Sequence, residues 1–168
     1  MINFKNKIPK ILVIGDLMID HYLWGKCERI SPEAPVQIVN IDKENSVLGG
    51  AGNVINNLRA LESNVDVLSV IGNDTTAKEL EALLESIEVK SDMLIIEQNR
   101  KTSKKSRLIA SQQQVLRYDN ESIEDISSSS ETQIINKLSA IILNYDVVIL
   151  SDYGKGVLTT KLTQEIIS

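Results

Sequence analysis

The chain has 168 residues, 42% of them hydrophobic and 24% charged, a balance that fits one globular domain with a real core and excludes a disordered tail. Its net charge of −5, with no basic face and no run of like charge, argues against a general nucleic-acid or membrane-surface binder. No apolar run reaches the ~18 residues of a membrane helix, and residues 1–5 lack the apolar core of a signal peptide, so no membrane partner and a cytoplasmic location are expected.

The first strand is expected at 10–15, followed by Asp16 and Asp20 at its carboxyl end, which is where ligands bind in an open α/β sheet. A β-rich insertion comes next, with segments 22–25 and 36–41 flanking a turn at 31–35. Pro32 and Pro35 make it an edge excursion rather than a central strand. Cys27, the single cysteine, excludes an internal disulfide, gives no metal cluster and reads as a half-buried thiol. The run Leu48-Gly49-Gly50-Ala51-Gly52-Asn53 is a glycine turn entering a helix at about 51–61. Its glycines admit positive φ and let a ligand lie against bare main chain, with the first helix amides left to face that ligand. The two aspartates and this turn are expected to share one crevice.

Residues 65–71 form a continuous apolar run, read as one parallel strand buried on both faces. Asp74 and Thr75 cap a helix to about residue 85, with Ala77, Leu80, Leu83, Leu84 and Ile87 at helical spacing. After 92–96, the alternating segments 102–110 and 113–118 read as a hairpin that extends the inserted β layer. A polar turn at 127–130 precedes a helix at about 131–143. Another buried strand, 147–150, ends at Ser151-Asp152-Tyr153-Gly154-Lys155-Gly156, and a last helix starts at Thr159. A parallel sheet that stops in a crossover helix is incomplete, so the chain reads as the first half of a longer protein.

These residues resemble the ribokinase-like carbohydrate kinases, most closely the branch that phosphorylates D-glycero-D-manno-heptose 7-phosphate at its anomeric hydroxyl. The matching pieces are Gly15-Asp16-Leu17-Met18-Ile19-Asp20, Ile30-Ser31-Pro32-Glu33-Ala34-Pro35-Val36, the glycine turn through Val54, Thr102-x-x-Lys105-x-Arg107, the run 113–119, and Ser151 to Gly156, in family order over nearly the whole chain. The resemblance implies a three-layer α/β/α fold with a mostly parallel sheet and a small β lid at about 20–41 and 101–119. Residues 1–168 would be the N-terminal, sugar-binding half of the kinase domain, with the C-terminal part of the fold missing. It further implies ATP and Mg2+ bound mainly by that other half, and a 1,7-bisphosphate product used in ADP-heptose and lipopolysaccharide core biosynthesis. The family's Gly-Ala-Gly-Asp anion hole, whose aspartate is the catalytic base, is absent from the 168 residues, so the base is expected beyond Ser168 and the fragment alone is expected to be inactive.

Sugar phosphorylation requires a hydroxyl held in line with the γ-phosphate, and carboxylates select hydroxyls by accepting their hydrogen bonds. Asp20 resembles the family's sugar-hydroxyl carboxylate, and Asp16 is either a second contact or an ordinary turn residue. Gly49 and Gly50 either bring amides to sugar oxygens, with Asn53 orienting them, or make a plain strand-to-helix turn. Ribokinase itself has Gly-Gly-x-x-x-Asn, one residue longer, which leaves open which amide meets the sugar. Asp152 binds hydroxyls or caps its turn, and Lys155 meets a phosphate as a point charge or is a solvated loop lysine. Lys105 and Arg107 clasp the 7-phosphate or protect an exposed edge. His21, the single histidine, supports neither a zinc site nor a Ser-His-Asp triad. A homodimer through the lid is expected, because its outer face is read as carrying Tyr22, Leu23, Trp24, Val36 and Ile38. The competing functions are another ribokinase-like sugar kinase, a non-catalytic sugar-phosphate-binding regulator, and a nucleotide- or dinucleotide-binding module. The spacing argues against the last, since a β insertion separates the first strand from the glycines.

Overall fold

The computed structural model describes residues 8–168, so residues 1–5, read above for a leader segment, lie outside the described part. Strand β1 (Lys10–Gly15) leads into two long strands, β2 (Leu17–Ile30) and β3 (Gln37–Gly50), then α1 (Ala51–Ala60), β4 (Asn64–Leu68) and β5 (Val70–Gly72). Helix α2 (Thr75–Ser86), β6 (Ile95–Glu97) and the hairpin of β7 (Ser103–Ala110) and β8 (Gln113–Asn120) follow. The described chain closes with α3 (Ser128–Ile141), β9 (Val147–Ser151) and α4 (Thr160–Ile167).

β1 is apolar from Ile11 onward because it lies between two parallel partners, β4 and β9, and is covered on both faces. Alternation divides its side chains. Ile11 and Val13 enter a core with Ala51 and Ile55 of α1 and Leu80 and Leu84 of α2, whereas Leu12 and Ile14 enter another with Ile134 and Leu138 of α3 and Leu162 of α4. The result is the expected three-layer α/β/α arrangement. Helices α2, α3 and α4 start at oxygen caps: Asp74 Oδ1 accepts the Ala77 amide at 2.8 Å, Ser127 Oγ that of Ser130 at 3.2 Å, and Thr159 Oγ1 that of Leu162 at 3.0 Å.

A second sheet, ordered β3-β2-β7-β8, rises from the carboxyl end of β1. β2 pairs antiparallel with β3 and parallel with β7, in register from Met18↔Ser103 to Gly25↔Ala110, so the two inserted segments pair with each other. Both strands of the first insertion outrun the expected 22–25 and 36–41.

Two expected elements differ. The run 65–71 is broken at Ser69, whose Oγ donates to the Gly15 carbonyl at 2.6 Å and whose carbonyl accepts the Ile95 amide at 2.9 Å. β4 therefore joins β1, and β5 turns aside to pair with β6. The polar stretch 128–130 is the first turn of α3 rather than a loop, because Ser127 caps it and Glu97 accepts the Ser130 hydroxyl.

Candidate functional site

Three chain segments converge at the carboxyl end of β1. Leu17↔Gly50 and Met18↔Gly49 are paired across β2 and β3, which sets the glycine turn directly beside Asp16. Gly50 has φ 55°, and a Cβ there would lie 2.6 Å from the Asp16 carbonyl and 2.7 Å from Met18 Cε. Only glycine fits that left-handed position. The first amide of α1 is not left open to a ligand as expected: Ala51 N donates to the Asp16 carbonyl at 2.9 Å.

Asp16 itself is 1% exposed. Its Oδ2 accepts the amides of Tyr153 at 2.8 Å and Lys155 at 3.0 Å, and its Oδ1 accepts that of Val157 at 3.1 Å. Both oxygens of the carboxylate are thus engaged by backbone amides of the loop after β9.

Asp20 and its neighbours form a charged row across the second sheet. Asp20 is in register with Lys105 on β7, and Lys105 with Asp119 on β8. Arg107, one step along the same face, reaches back with Nη1 to Asp20 Oδ1 at 2.6 Å and lies 5.3 Å from the centre of the Tyr22 ring. Both partners are partly buried, with side chains 23% and 21% exposed. Gly49 underlies this pair: a Cβ there would collide with Asp20 Oδ2. Tyr22 and Trp24 stack at 5.6 Å on this same face. Leu23 must point to the other side. The five apolar residues expected on one outer face are therefore divided between the two faces.

Lys105 Nζ bonds Glu121 Oε2 at 2.8 Å and Asp119 Oδ2 at 3.1 Å, while Lys155 Nζ bonds Glu121 Oε1 at 2.8 Å. Burial pulls the Lys105 ammonium down, but its bonds to Glu121 and Asp119 outweigh that and hold it above the ordinary lysine value. Burial likewise raises Glu121, and the two lysines more than reverse it, leaving the carboxyl below the usual range. Arg117, bonded to Asp119 at 2.9 and 2.7 Å, holds that carboxyl far below its ordinary value. Lys105 is thus paired with two carboxylates at the edge of the sheet. Asp152 is exposed and accepts the Gly154 amide at 2.8 Å. Asn53 is exposed on the first turn of α1. His21 bonds Ser106 Oγ at 3.1 Å and faces Glu44 on the opposite side of the sheet.

The structure therefore brings together Asp20, Arg107, Gly49 and Gly50 at the sheet junction, with Lys155 tied to it through Asp16. Sequence reasoning missed Glu121 and Arg100. Glu121 continues the parity of Arg117 and Asp119 past the end of β8, a signal available in the sequence. Arg100 is 8% exposed and donates to the carbonyls of Glu124 and Lys155, and nothing local marks it.

Residues 8–167 match the pfkB family of carbohydrate kinases, and the chain belongs to that family. It is 69% identical over 163 residues to the bifunctional protein HldE of Aliarcobacter butzleri and 63% identical over 164 residues to that of Sulfurimonas denitrificans. These matches cover 97% and 98% of this chain but 34% of each relative, so the chain spans about a third of their length. Among solved structures, the fold is shared with a carbohydrate kinase from Agrobacterium tumefaciens, with TM-score 0.60, 18% identity, and coverage of 84% of this chain and 45% of that one. It is shared also with Arabidopsis thaliana ribokinase complexed with ribose and ATP, with TM-score 0.55, 17% identity, and coverage of 84% and 45%.

Proposed function

We propose that this chain forms the sugar-binding part of an ATP-dependent sugar kinase whose acceptor is D-glycero-β-D-manno-heptose 7-phosphate. The anomeric hydroxyl takes the phosphoryl group, giving the 1,7-bisphosphate for ADP-heptose synthesis. The observation that carries this is the Asp20 carboxylate, held by Arg107 over the bare backbone of Gly49, in a chain of the pfkB family. Arg107 keeps the Asp20 carboxylate aimed, so that it accepts hydrogen bonds from substrate hydroxyls and fixes their orientation. Support for the heptose comes from the motif resemblance and from the identity to the bifunctional HldE proteins.

The second sheet is proposed to act as the lid over the sugar. Arg107 and Lys155 are the cations proposed to meet the substrate phosphate, Lys155 exchanging Glu121 for it. The catalytic base, the nucleotide and Mg2+ are assigned to the part of the relatives that this chain does not span. Among the described residues no group of three or more His, Cys, Asp or Glu could hold a metal ion. A homodimer through the lid is also proposed. Every residue of β8 is exposed, and Val115, Leu116 and Tyr118 on it are 43%, 52% and 51% exposed. Light scattering on the full-length protein is expected to return a dimer mass, and a monomer at high concentration counts against this contact.

The test of the activity is steady-state kinetics of the full-length protein with ATP and the heptose phosphate. Asp20→Asn is expected to lower kcat/KM for the sugar phosphate at least about tenfold, with KM for ATP little changed. Wild-type kcat/KM in that variant would remove Asp20 from the site, and no turnover in the wild type would leave a sugar-phosphate-binding regulator. Residues 1–168 alone are expected to show no turnover, since proton acceptance and charge stabilisation are each worth about two or more powers of ten.

A further inference from the structure

We propose that Asp16 is a positioning residue that organises the loop 152–157 from beneath and never touches the substrate. Its carboxylate fills a concavity lined by three backbone amides, of Tyr153, Lys155 and Val157, at 2.8, 3.0 and 3.1 Å. Alternate amides pointing at one centre make an anion site, and here the anion is supplied by the protein itself. The surroundings are built for this. A Cβ on Gly15 would strike the Ser151 carbonyl, so glycine lets the chain close on the end of β9, where Asp16 N donates to that same carbonyl at 3.1 Å. Gly156, at φ 80°, turns the loop under the carboxylate, and a side chain there would strike the Glu124 carbonyl.

The consequence falls on Lys155. Its amide is held by Asp16, its carbonyl by Arg100 and its ammonium by Glu121, so backbone and side chain are fixed at three points. The carbonyl of Asp16 meanwhile accepts the first amide of α1. One buried residue thereby sets the glycine turn and the lysine loop relative to each other, using two acceptor oxygens where an amide side chain would present N–H to N–H. Asparagine keeps the shape and loses acceptors.

The test has a structural arm and a kinetic arm, and the kinetic arm rests on the kinase activity proposed above. In the full-length protein, Asp16→Asn is expected to speed hydrogen exchange at the amides of residues 153, 155 and 157 by about tenfold or more. Exchange at Leu80 and Leu84 in α2 should stay at wild-type rates, and Asp20→Asn should leave the loop amides protected. If Asp16→Asn does not fold, through-hydrogen-bond couplings from those three amides to the Asp16 carboxyl carbon in the wild-type protein decide the same point. Unchanged protection in the variant, or absent couplings in the wild type, overturns the inference. In the kinetic arm, kcat/KM for the sugar phosphate is expected to fall about tenfold, by the same factor with each deoxy analogue, because a positioning residue loses no particular hydroxyl. A loss that vanishes for one deoxy analogue would make Asp16 a direct contact and overturn the inference. A protein without kinase activity would overturn the functional proposal alone, since hydrogen exchange still reads the loop.

Discussion

Asp20 and Gly49 are one steric unit, because the carboxylate occupies the space that any side chain at 49 would fill. Gly49→Ala is therefore expected to push Asp20 off Arg107, with a fall in kcat/KM comparable to that of Asp20→Asn and a stability loss of about 1–3 kcal/mol from overpacking. Paired kinetics and thermal melts of the full-length protein check both. At this scale the sequence was partly legible. The Asp-x-x-x-Asp spacing and the glycine pair were visible, and strand alternation placed Lys105 and Arg107 on one face. Which aspartate faces the crevice was not visible, because the amides that bury Asp16 lie 137 to 141 residues away in sequence. The fate of Lys105 was hidden for the same reason, since both carboxylates that claim it come from beyond its own strand.

Element existence was legible wherever burial on both faces or an oxygen cap wrote it locally, as in β1, α2 and α4. Element extent was not. β3 continues from Asp42 to Val47 through polar residues whose composition reads as loop, because backbone pairing with β2 carries it from Lys43↔Trp24 to Gly50↔Leu17. The break at Ser69 has no compositional signal either, since it depends on a hydrogen bond to Gly15. The β7–β8 turn, expected from its polarity, shows why the hairpin still forms. Ser111 and Gln112 sit at φ 51° and 66°, the left-handed pair of a two-residue turn matched to strand twist, without the residues that favour it. Replacing them with Asn-Gly is expected to stabilise the protein by about 1 kcal/mol, read as an upward shift in Tm, with the hairpin register unchanged.

At the scale of the whole molecule, Glu121 links the second sheet to the α/β body by bridging Lys105 of β7 and Lys155 of the β9–α4 loop. The three side chains are 13%, 10% and 17% exposed, so solvent screens them far less than a surface pair. Removing the shared anion leaves two cations partly buried and facing each other. Glu121→Gln is accordingly expected to cost about 2 kcal/mol at neutral pH, measured by denaturant unfolding. The pH dependence follows from the direction of the shift. The folded Glu121 carboxyl lies below its ordinary value of 4.5, so the unfolded chain binds its proton first as pH falls. Its contribution is fully present above 4.5 and is lost as pH drops through the lower folded value. Lys105 works in the opposite sense: its folded value lies above 10.5, so its contribution holds below that and fades as pH rises through the folded value. The stability difference between wild type and Glu121→Gln should therefore stay level from pH 6 to 9 and shrink toward zero in acid. A difference that persists unchanged at pH 3 would mean that the shape of the glutamate, and not its charge, joins the sheet to the body.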